Sequence, residues 1–135
     1  MCTDKRNAEG YWDPTASMAI EKIEAAAKKP LPMIYICSPY RENPRVNVMR
    51  ARQYCQFAVE QKYLPLAPHL YFPQFMAEER MRSLAFRMNF QLMEFCEEVW
   101  VFGEEISEGM KVEIAEAYKR RLRIRHFTRR CEEVM

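Results

Sequence analysis

The stretch Met33-Ile-Tyr-Ile-Cys-Ser-Pro-Tyr-Arg41, which continues into Glu42-Asn43-Pro44, decides the fold of this chain. Residues 33–37 form a continuous apolar run rich in β-forming side chains, which is typical of a strand buried on both faces. A polar loop follows, and Asn43-Pro44 then supplies an N-cap and a first-turn proline for a helix. Strand, loop and helix in this order open a βαβ unit, so the sequence predicts an α/β protein with a parallel sheet.

Three further strands are predicted along the chain, at residues 63–67, 98–103 and 122–127. Helical periodicity between them predicts helices over residues 80–95 and 110–120. Pro65 in the second strand and the alternating arginines of the fourth both favour edge positions. We therefore expect a parallel sheet of four strands, or five, in the order 2-1-3-4. Ligands of such sheets bind at the carboxyl ends of the strands, here at the switch point between strands 1 and 3.

The chain divides into three parts by pattern. Residues 1–32 are expected to form an N-terminal helical extension, whose helix starts at Asp13-Pro14 and stops before Pro30. Residues 33–128 are expected to form the sheet domain. Residues 129–135 are a charged tail that we expect to fray.

Composition limits the function classes. The chain has 135 residues, is 49% hydrophobic and carries a formal net charge of +2. The length and the apolar content predict one domain with its own core. The small net charge argues against a dedicated nucleic-acid binder, and the C-terminal arginines are typical of a solvated edge strand. The absence of a membrane-length apolar run or signal-peptide pattern predicts a cytoplasmic protein. Neither the five cysteines nor the two histidines have metal-ligand spacing, so we expect no metal and no cofactor.

The loop after the third strand carries the clearest candidate site. Gly109 allows close approach of a ligand to the backbone, and the amides from Gly109 to Met110 open a helix whose free N–H groups favour an anion. Ser107 adds a hydroxyl donor. Glu113 lies on an apolar helix face in the first turns and is a candidate nucleophile or base. The pattern alone also fits a solvated first-turn glutamate.

Two other loops are predicted to reach the same place. Ser38, Tyr40 and Arg41 follow the first strand and are candidate substrate- or phosphate-binding residues, Arg41 through a bidentate contact. His69 follows the second strand and, with Tyr71 and Phe72, is a candidate wall for a nucleobase. These rings fit a simple core cover equally well. A nucleophilic triad of Cys37, Ser38 and His69 has no support from spacing.

Four segments together resemble the nucleoside 2-deoxyribosyltransferase superfamily, and most of all its small bacterial and phage members of unassigned function. The segments are YICSPYR, APHLYFP, CEEVWVFG and SEGMKVEIAEA, and the similarity runs over residues 33–127. Its most specific element is the spacing S/D-x-G-x-x-x-E, filled by Ser107, Gly109 and Glu113. The resemblance implies a flavodoxin-like three-layer sandwich in which Glu113 attacks the anomeric carbon of a deoxyribose.

The chain departs from this family at one position. The family carries an aspartate that protonates or orients the departing base, and the matching residue here is Asn89. An asparagine can hydrogen-bond a sugar or base but cannot donate a catalytic proton at neutral pH. Asn89 also fits a plain helix residue at the border of the core. At position 107 the chain resembles the related deoxynucleoside 5′-monophosphate N-glycosidases, which also carry a serine there. The resemblance implies that Ser107 contacts phosphate.

The predicted function is therefore an enzyme that cleaves or transfers the N-glycosidic bond of a nucleoside or nucleoside 5′-monophosphate. The alternative is a nucleotide-binding or sensor module of the same fold whose chemistry is lost through Asn89. We also expect a homo-oligomer, because Phe86, Phe90 and Met93 lie off the main apolar face of their predicted helix. Left exposed, they would form a patch that a two-fold partner could bury.

Overall fold

The computed structural model of the protein describes residues 14–27 and 29–135. The chain divides into one compact unit that ends at Leu31 and a second that runs from Pro32 to Met135. In the first unit, helix α1 spans Pro14–Ala27. Its predicted N-cap Asp13, like the N-terminal segment that shows no signal-peptide pattern, lies outside the described residues. No described helix is both long and apolar enough to cross a bilayer.

The second unit is an α/β domain. Its strands are β1 (Met33–Cys37), β2 (Leu64–Leu66), β3 (Glu98–Phe102), β4 (Arg123–Phe127) and β5 (Glu133–Val134). Its helices are α2 (Pro44–Glu60), α3 (Glu78–Met93) and α4 (Glu108–Lys119), with short 3₁₀ turns at Pro68–Leu70 and Phe72–Gln74. The sheet has the order β2-β1-β3-β4-β5, and β1 to β4 are parallel. The predicted fold class and the order 2-1-3-4 are confirmed.

The sheet is covered by helices on both faces, because successive strand residues point to opposite sides. Tyr35 and Val99 belong to a cluster that also contains residues of α3 and α4. Ile34 and Trp100 belong to the opposite cluster, which contains residues of α2. Residues 34–37 of β1 and 99–102 of β3 are almost fully buried. This burial explains why both strands read as uninterrupted apolar runs, and it places their polar carboxyl-end loops next to each other.

The C-terminal tail does not fray, contrary to the prediction. Residues 133–134 form β5, which pairs antiparallel with β4. The turn between them is closed by the Thr128 hydroxyl, which accepts the N–H groups of Arg130 and Glu132, each at 3.2 Å. The edge of the sheet is therefore β5 and not β4. Charge in a short segment predicts solvation, but here a glutamate of the tail pairs with an arginine of the neighbouring strand.

Arg125 of β4 is the centre of this edge. Its Nε donates to Glu133 at 3.1 Å, and its Nη1 lies 3.5 Å from Glu98 on β3. The guanidinium also stacks 4.9 Å from the ring centroid of Trp100. The hydrogen bond to Glu133 is the main cause that raises the pKa of Arg125 further above its usual range. Arg125 thus links three strands instead of forming part of a solvated arginine face.

We expect Arg125→Ala to destabilise the domain by about 1 to 2 kcal/mol, because it removes two ion pairs and a cation–π contact from a half-buried site. Arg123→Ala is the matched control, since Arg123 makes one 3.7 Å contact with Glu98 and its side chain is 68% exposed. That control should stay within about 0.5 kcal/mol of the wild type. Urea denaturation of the three proteins measures both values, and equal losses in the two variants would contradict this role.

The apolar side chains of α3 are distributed differently from the prediction. Met93 is fully buried in the core, and Phe90 packs against the same cluster. Phe86 is half-buried, with its ring 6.0 Å from that of Phe90. The exposed large apolar residues of α3 are instead Met81 and Leu84, at 39% and 44%, and Phe95 just after the helix is 66% exposed. The patch proposed for oligomerisation is therefore largely covered within the domain, because Phe90 and Met93 belong to or pack against the core cluster and Phe86 is half-buried.

Candidate active site

A cavity of about 460 Å³ opens at the carboxyl ends of β1 and β3. It lies at the switch point of the strand order, where α/β sheets of this kind bind ligands. All nine residues predicted for the site line it: Ser38, Tyr40, Arg41, His69, Asn89, Ser107, Gly109, Met110 and Glu113. They come from five separate parts of the domain, namely β1's loop, the turn after β2, α3, the loop after β3, and α4. Only the fold brings them together.

Glu113 is the central ionisable group of the cavity. It lies in the second turn of α4 and is not the solvated glutamate that its position alone would allow. Burial raises the pKa of its carboxyl group from 4.5 to about 7, and an interaction with the Tyr35 hydroxyl opposes that rise. A carboxyl group with this pKa exchanges protons readily near neutral pH, which is the property expected of a catalytic carboxylate.

Tyr35 and Asn89 present polar atoms beside this carboxyl group. Within the described residues, the hydroxyl of Tyr35 and Oδ1 of Asn89 are buried and have no hydrogen-bond partner of regular geometry. Burial and, secondly, the charge of Glu113 raise the pKa of Tyr35 well above its usual value, so this hydroxyl stays protonated. Buried polar atoms without partners cost free energy and are uncommon. Both atoms are therefore available to groups that a ligand would bring into the cavity.

Ser38 and His69 form a pair that the sequence did not predict. Oγ of Ser38 lies 3.1 Å from Nε2 of His69, although the two residues belong to different loops. Burial lowers the pKa of His69 from 6.5 to about 4, so its imidazole is neutral at physiological pH. The ring of Tyr40 lies 6.2 Å from that of His69. This arrangement fixes the orientation of the serine and presents an uncharged polar wall to the cavity.

The start of α4 is capped by its own serine. Oγ of Ser107 accepts the N–H of Met110 at 3.2 Å, so this amide, which was predicted to bind an anion, already has a partner. The remaining first-turn amides, those of Glu108 and Gly109, have no acceptor within the helix. A Cβ on Gly109 would meet only the tip of the Phe86 ring, at 3.7 Å. Packing within the protein therefore does not demand a glycine here, whereas close approach of a ligand would.

Other parts of the lining escaped the sequence analysis. Arg82 and Phe86 of α3 both reach the cavity, with the guanidinium 5.4 Å from the ring centroid. The sequence did not predict these two residues for the site, because the helical pattern around them is typical of a helix that packs on the core. Phe72 lines the cavity as predicted, but Tyr71 does not. Tyr71 is 61% exposed and stacks edge-on against Phe75 at 4.8 Å instead.

The lining chemistry suits an organic ligand better than a metal ion. Over the described residues, no group of three His, Cys, Asp or Glu side chains is arranged to hold a metal. Cys37 next to the cavity is fully buried, and burial raises its pKa well above the usual value, so its thiol remains protonated. Rings and prolines supply much of the wall, and they include Tyr40, Phe72, Pro73 and Phe86. Such walls accept a flat ring by stacking.

Comparison with known proteins supports the fold. No curated protein matches the chain in sequence. Among solved structures, the protein is similar to a 2-deoxyribosyltransferase from the psychrotolerant bacterium Bacillus psychrosaccharolyticus, with a TM-score of 0.50 and 19% sequence identity. The similarity covers 71% of this chain and 72% of the other. Residues 32–127 match the model of a domain of unknown function, and the chain therefore belongs to the DUF7768 family.

Proposed function

We propose that this protein cleaves or transfers the N-glycosidic bond of a nucleoside or nucleoside 5′-monophosphate, with Glu113 as the nucleophile. The observation that carries the proposal is a buried carboxyl group with a pKa of about 7 at the base of a cavity walled by rings. The similarity in fold to a 2-deoxyribosyltransferase agrees with it. A carboxyl group whose pKa is raised toward neutrality can still ionise at physiological pH, so Glu113 can act as a carboxylate.

The chemistry would proceed in two steps. An oxygen of the Glu113 carboxylate attacks C1′ of the sugar, while the bond from C1′ to the base breaks and its electron pair leaves with the base. The product is a glycosyl ester of Glu113, which water or a second base then resolves. The hydroxyl of Tyr35, which lies beside Glu113 without a regular hydrogen-bond partner among the described residues, can donate to the carboxylate oxygen that does not react. Burial favours the loss of charge from Glu113 as the ester forms, and with a neutral base that negative charge passes to the departing base.

The decisive experiment is incubation of the protein with a panel of nucleosides and their 5′-monophosphates, followed by chromatographic detection of free base. Release that requires Glu113 supports the proposal. A second reaction in the presence of a different free base separates transfer from hydrolysis, because only transfer yields a new nucleoside. Absence of base release over the whole panel would contradict the enzymatic proposal.

We expect 5′-monophosphates to bind about 10-fold or more tightly than the corresponding nucleosides. Arg41, Ser107 and the amides at the start of α4 line one side of the cavity, and such groups bind phosphate well. Isothermal titration calorimetry of the Glu113→Gln variant measures both affinities without turnover. Arg41→Ala should remove most of the difference and leave nucleoside binding nearly unchanged. Equal affinities in the unaltered site would contradict phosphate recognition.

A binding module is the second candidate, and Asn89 is the observation that favours it. The position that would serve the departing base carries an amide, which offers hydrogen bonds but no acidic proton. In that case nucleotides would bind to the cavity and remain intact. Calorimetric binding together with unchanged nucleotide after long incubation would identify this function.

We also propose that the protein forms a homo-oligomer, now through the exposed apolar residues Leu84 and Phe95. Burial of two such side chains from each subunit is favourable, at about 1.5 to 3 kcal/mol for each fully buried residue. Light scattering should give a mass of at least twice the 16.2 kDa of the chain. Leu84→Glu should shift it toward the monomer. A monomer mass for the wild type at micromolar concentration would exclude this assembly.

A further inference from the structure

Asn89 leaves the proposed reaction without a proton donor for the departing base. An ordinary purine or pyrimidine leaves as an anion unless an acid protonates it, and enzymes gain about 10² to 10⁴-fold from such an acid. The Asn89 side chain cannot provide that proton. Its Oδ1 is instead a buried acceptor that has no partner in the described part of the chain.

No other lining group replaces the missing acid. His69 is held neutral by burial, and Tyr35 keeps its proton tightly because it is buried beside Glu113. The remaining carboxyl groups of the lining, those of Glu42, Glu105 and Glu108, belong to exposed residues. Among the described residues, the cavity thus combines a nucleophile with an unpartnered acceptor and presents no further buried acid to the leaving group.

From this combination we infer that the substrate is a nucleotide whose base carries a fixed positive charge. The class includes N-glycosyl pyridinium nucleotides, such as nicotinamide mononucleotide, and N7-alkylated purine nucleotides. This inference rests on the proposed function and names its substrate class. A cationic base needs no acid, because the electron pair of the broken C1′–N bond neutralises its ring.

The reaction balances with the residues in the cavity and water. The carboxylate of Glu113, with one negative charge, and the cationic base, with one positive charge, give a neutral glycosyl ester and a neutral free base. Water then attacks C1′ and forms the new C1′–O bond, and the ester bond breaks to return the Glu113 carboxylate. The proton of that water passes to solvent. No oxidant, reductant or further acid takes part.

The lining also complements such a base. Among the described residues it contains four glutamates and two arginines, and one of the glutamates, Glu108, pairs with Lys111 at 3.1 Å. The small remaining excess of carboxylates favours a cation. Tyr40, Phe72 and Phe86 offer ring faces, which attract cations as well as flat rings. Oδ1 of Asn89 needs a donor, and both a nicotinamide carboxamide and a 7-methylguanine ring carry N–H groups. An aspartate at this position could protonate a neutral base as it leaves. A cationic base does not need that proton.

The test compares matched substrates that differ only in the charge of the base. The full chain is incubated at pH 7.5 with 7-methylguanosine 5′-monophosphate and guanosine 5′-monophosphate, and with nicotinamide mononucleotide, and free base is measured by chromatography. For the two cationic nucleotides we expect rates at least about 10²-fold above the uncatalysed control. After the uncatalysed rate of each nucleotide is subtracted, these rates should also exceed the rate for guanosine 5′-monophosphate by at least about 10²-fold. Glu113→Gln should abolish all of these.

The outcomes separate this inference from the proposed function. Equal corrected rates for the methylated and unmethylated nucleotides would overturn the inference and leave the glycosidic function standing. Absence of cleavage for every nucleotide tested, cationic or neutral, would overturn both.

An exchange at position 89 gives an independent readout. Asn89→Asp replaces the amide with a group of nearly equal size that can hold a proton. We expect it to raise the ratio of guanosine 5′-monophosphate cleavage to 7-methylguanosine 5′-monophosphate cleavage by about 10-fold or more over the wild type at the same pH, because the titration of Glu113 affects both substrates equally. Thermal melting confirms that the variant is folded. An unchanged ratio between the two substrates in a folded variant would contradict the inference.

Discussion

Glu113→Gln is expected to reduce release of free base by at least about 10³-fold, the largest effect of any single substitution in this protein. The exchange keeps the shape of the side chain but removes the charge that attacks C1′ and the oxygen that carries the glycosyl ester. Substrate binding should change little, because the cavity walls and the polar groups of Ser38, Asn89 and Ser107 remain. The loss should therefore appear in kcat and not in KM.

The matched control is Glu116→Gln, which makes the same chemical change one turn further along α4. Glu116 lies outside the cavity lining and pairs with Arg120 at 3.5 Å. Its replacement should leave kcat within about two-fold of the wild type. Mass spectrometry of the wild type quenched during turnover should detect a glycosyl adduct on the α4 peptide, and Glu113→Gln should lack it. Equal turnover by the wild type and Glu113→Gln would exclude Glu113 as the nucleophile.

The same substitution should increase stability at alkaline pH. The folded protein holds the pKa of Glu113 near 7, whereas the unfolded chain returns it to about 4.5. The carboxyl group is neutral in both states below that lower value, so it has no effect there. The stability penalty develops between about pH 4.5 and pH 7, where the unfolded chain is ionised and the folded protein still holds its proton, and it levels off above pH 7. One pKa unit corresponds to about 1.4 kcal/mol, so this penalty approaches roughly 3 kcal/mol above pH 8.

Urea denaturation of the wild type and of Glu113→Gln at pH 5 and pH 8 measures this penalty. The variant should be nearly as stable as the wild type at pH 5 and more stable at pH 8. His69 titrates in the opposite direction, because burial lowers its pKa, but its contribution is the same in both proteins and cancels in their difference. Tyr35 and Cys37, which also face Glu113, stay uncharged over this range. A stability difference that does not change with pH would contradict the buried carboxyl group.

Several features followed from local sequence. The run at residues 33–37 predicted β1 with its observed bounds, because a strand buried on both faces must be apolar without interruption. The proline of β2 predicted its edge position, since a residue without an N–H cannot donate within a central ladder. Helical periodicity predicted α4 over residues 110–120, and the helix begins two residues earlier, at Glu108, because Ser107 caps it through its hydroxyl. These patterns were sufficient for the fold class, the strand order and the loops that form the cavity.

The tertiary structure decided what depends on distant parts of the chain. The sequence placed the wrong side of α3 toward the core, because the apolar residues of this helix lie on more than one face and only the packing partners decide which face is buried. The tail forms β5, in which Glu133 lies opposite Phe127 and its carboxylate reaches Arg125, two residues before Phe127 on β4. The raised pKa of Glu113 and the hydrogen bond between Ser38 and His69 likewise have no local signal. Desolvation and contacts between loops exist only after the chain has folded, and they determine the chemistry that the cavity can perform.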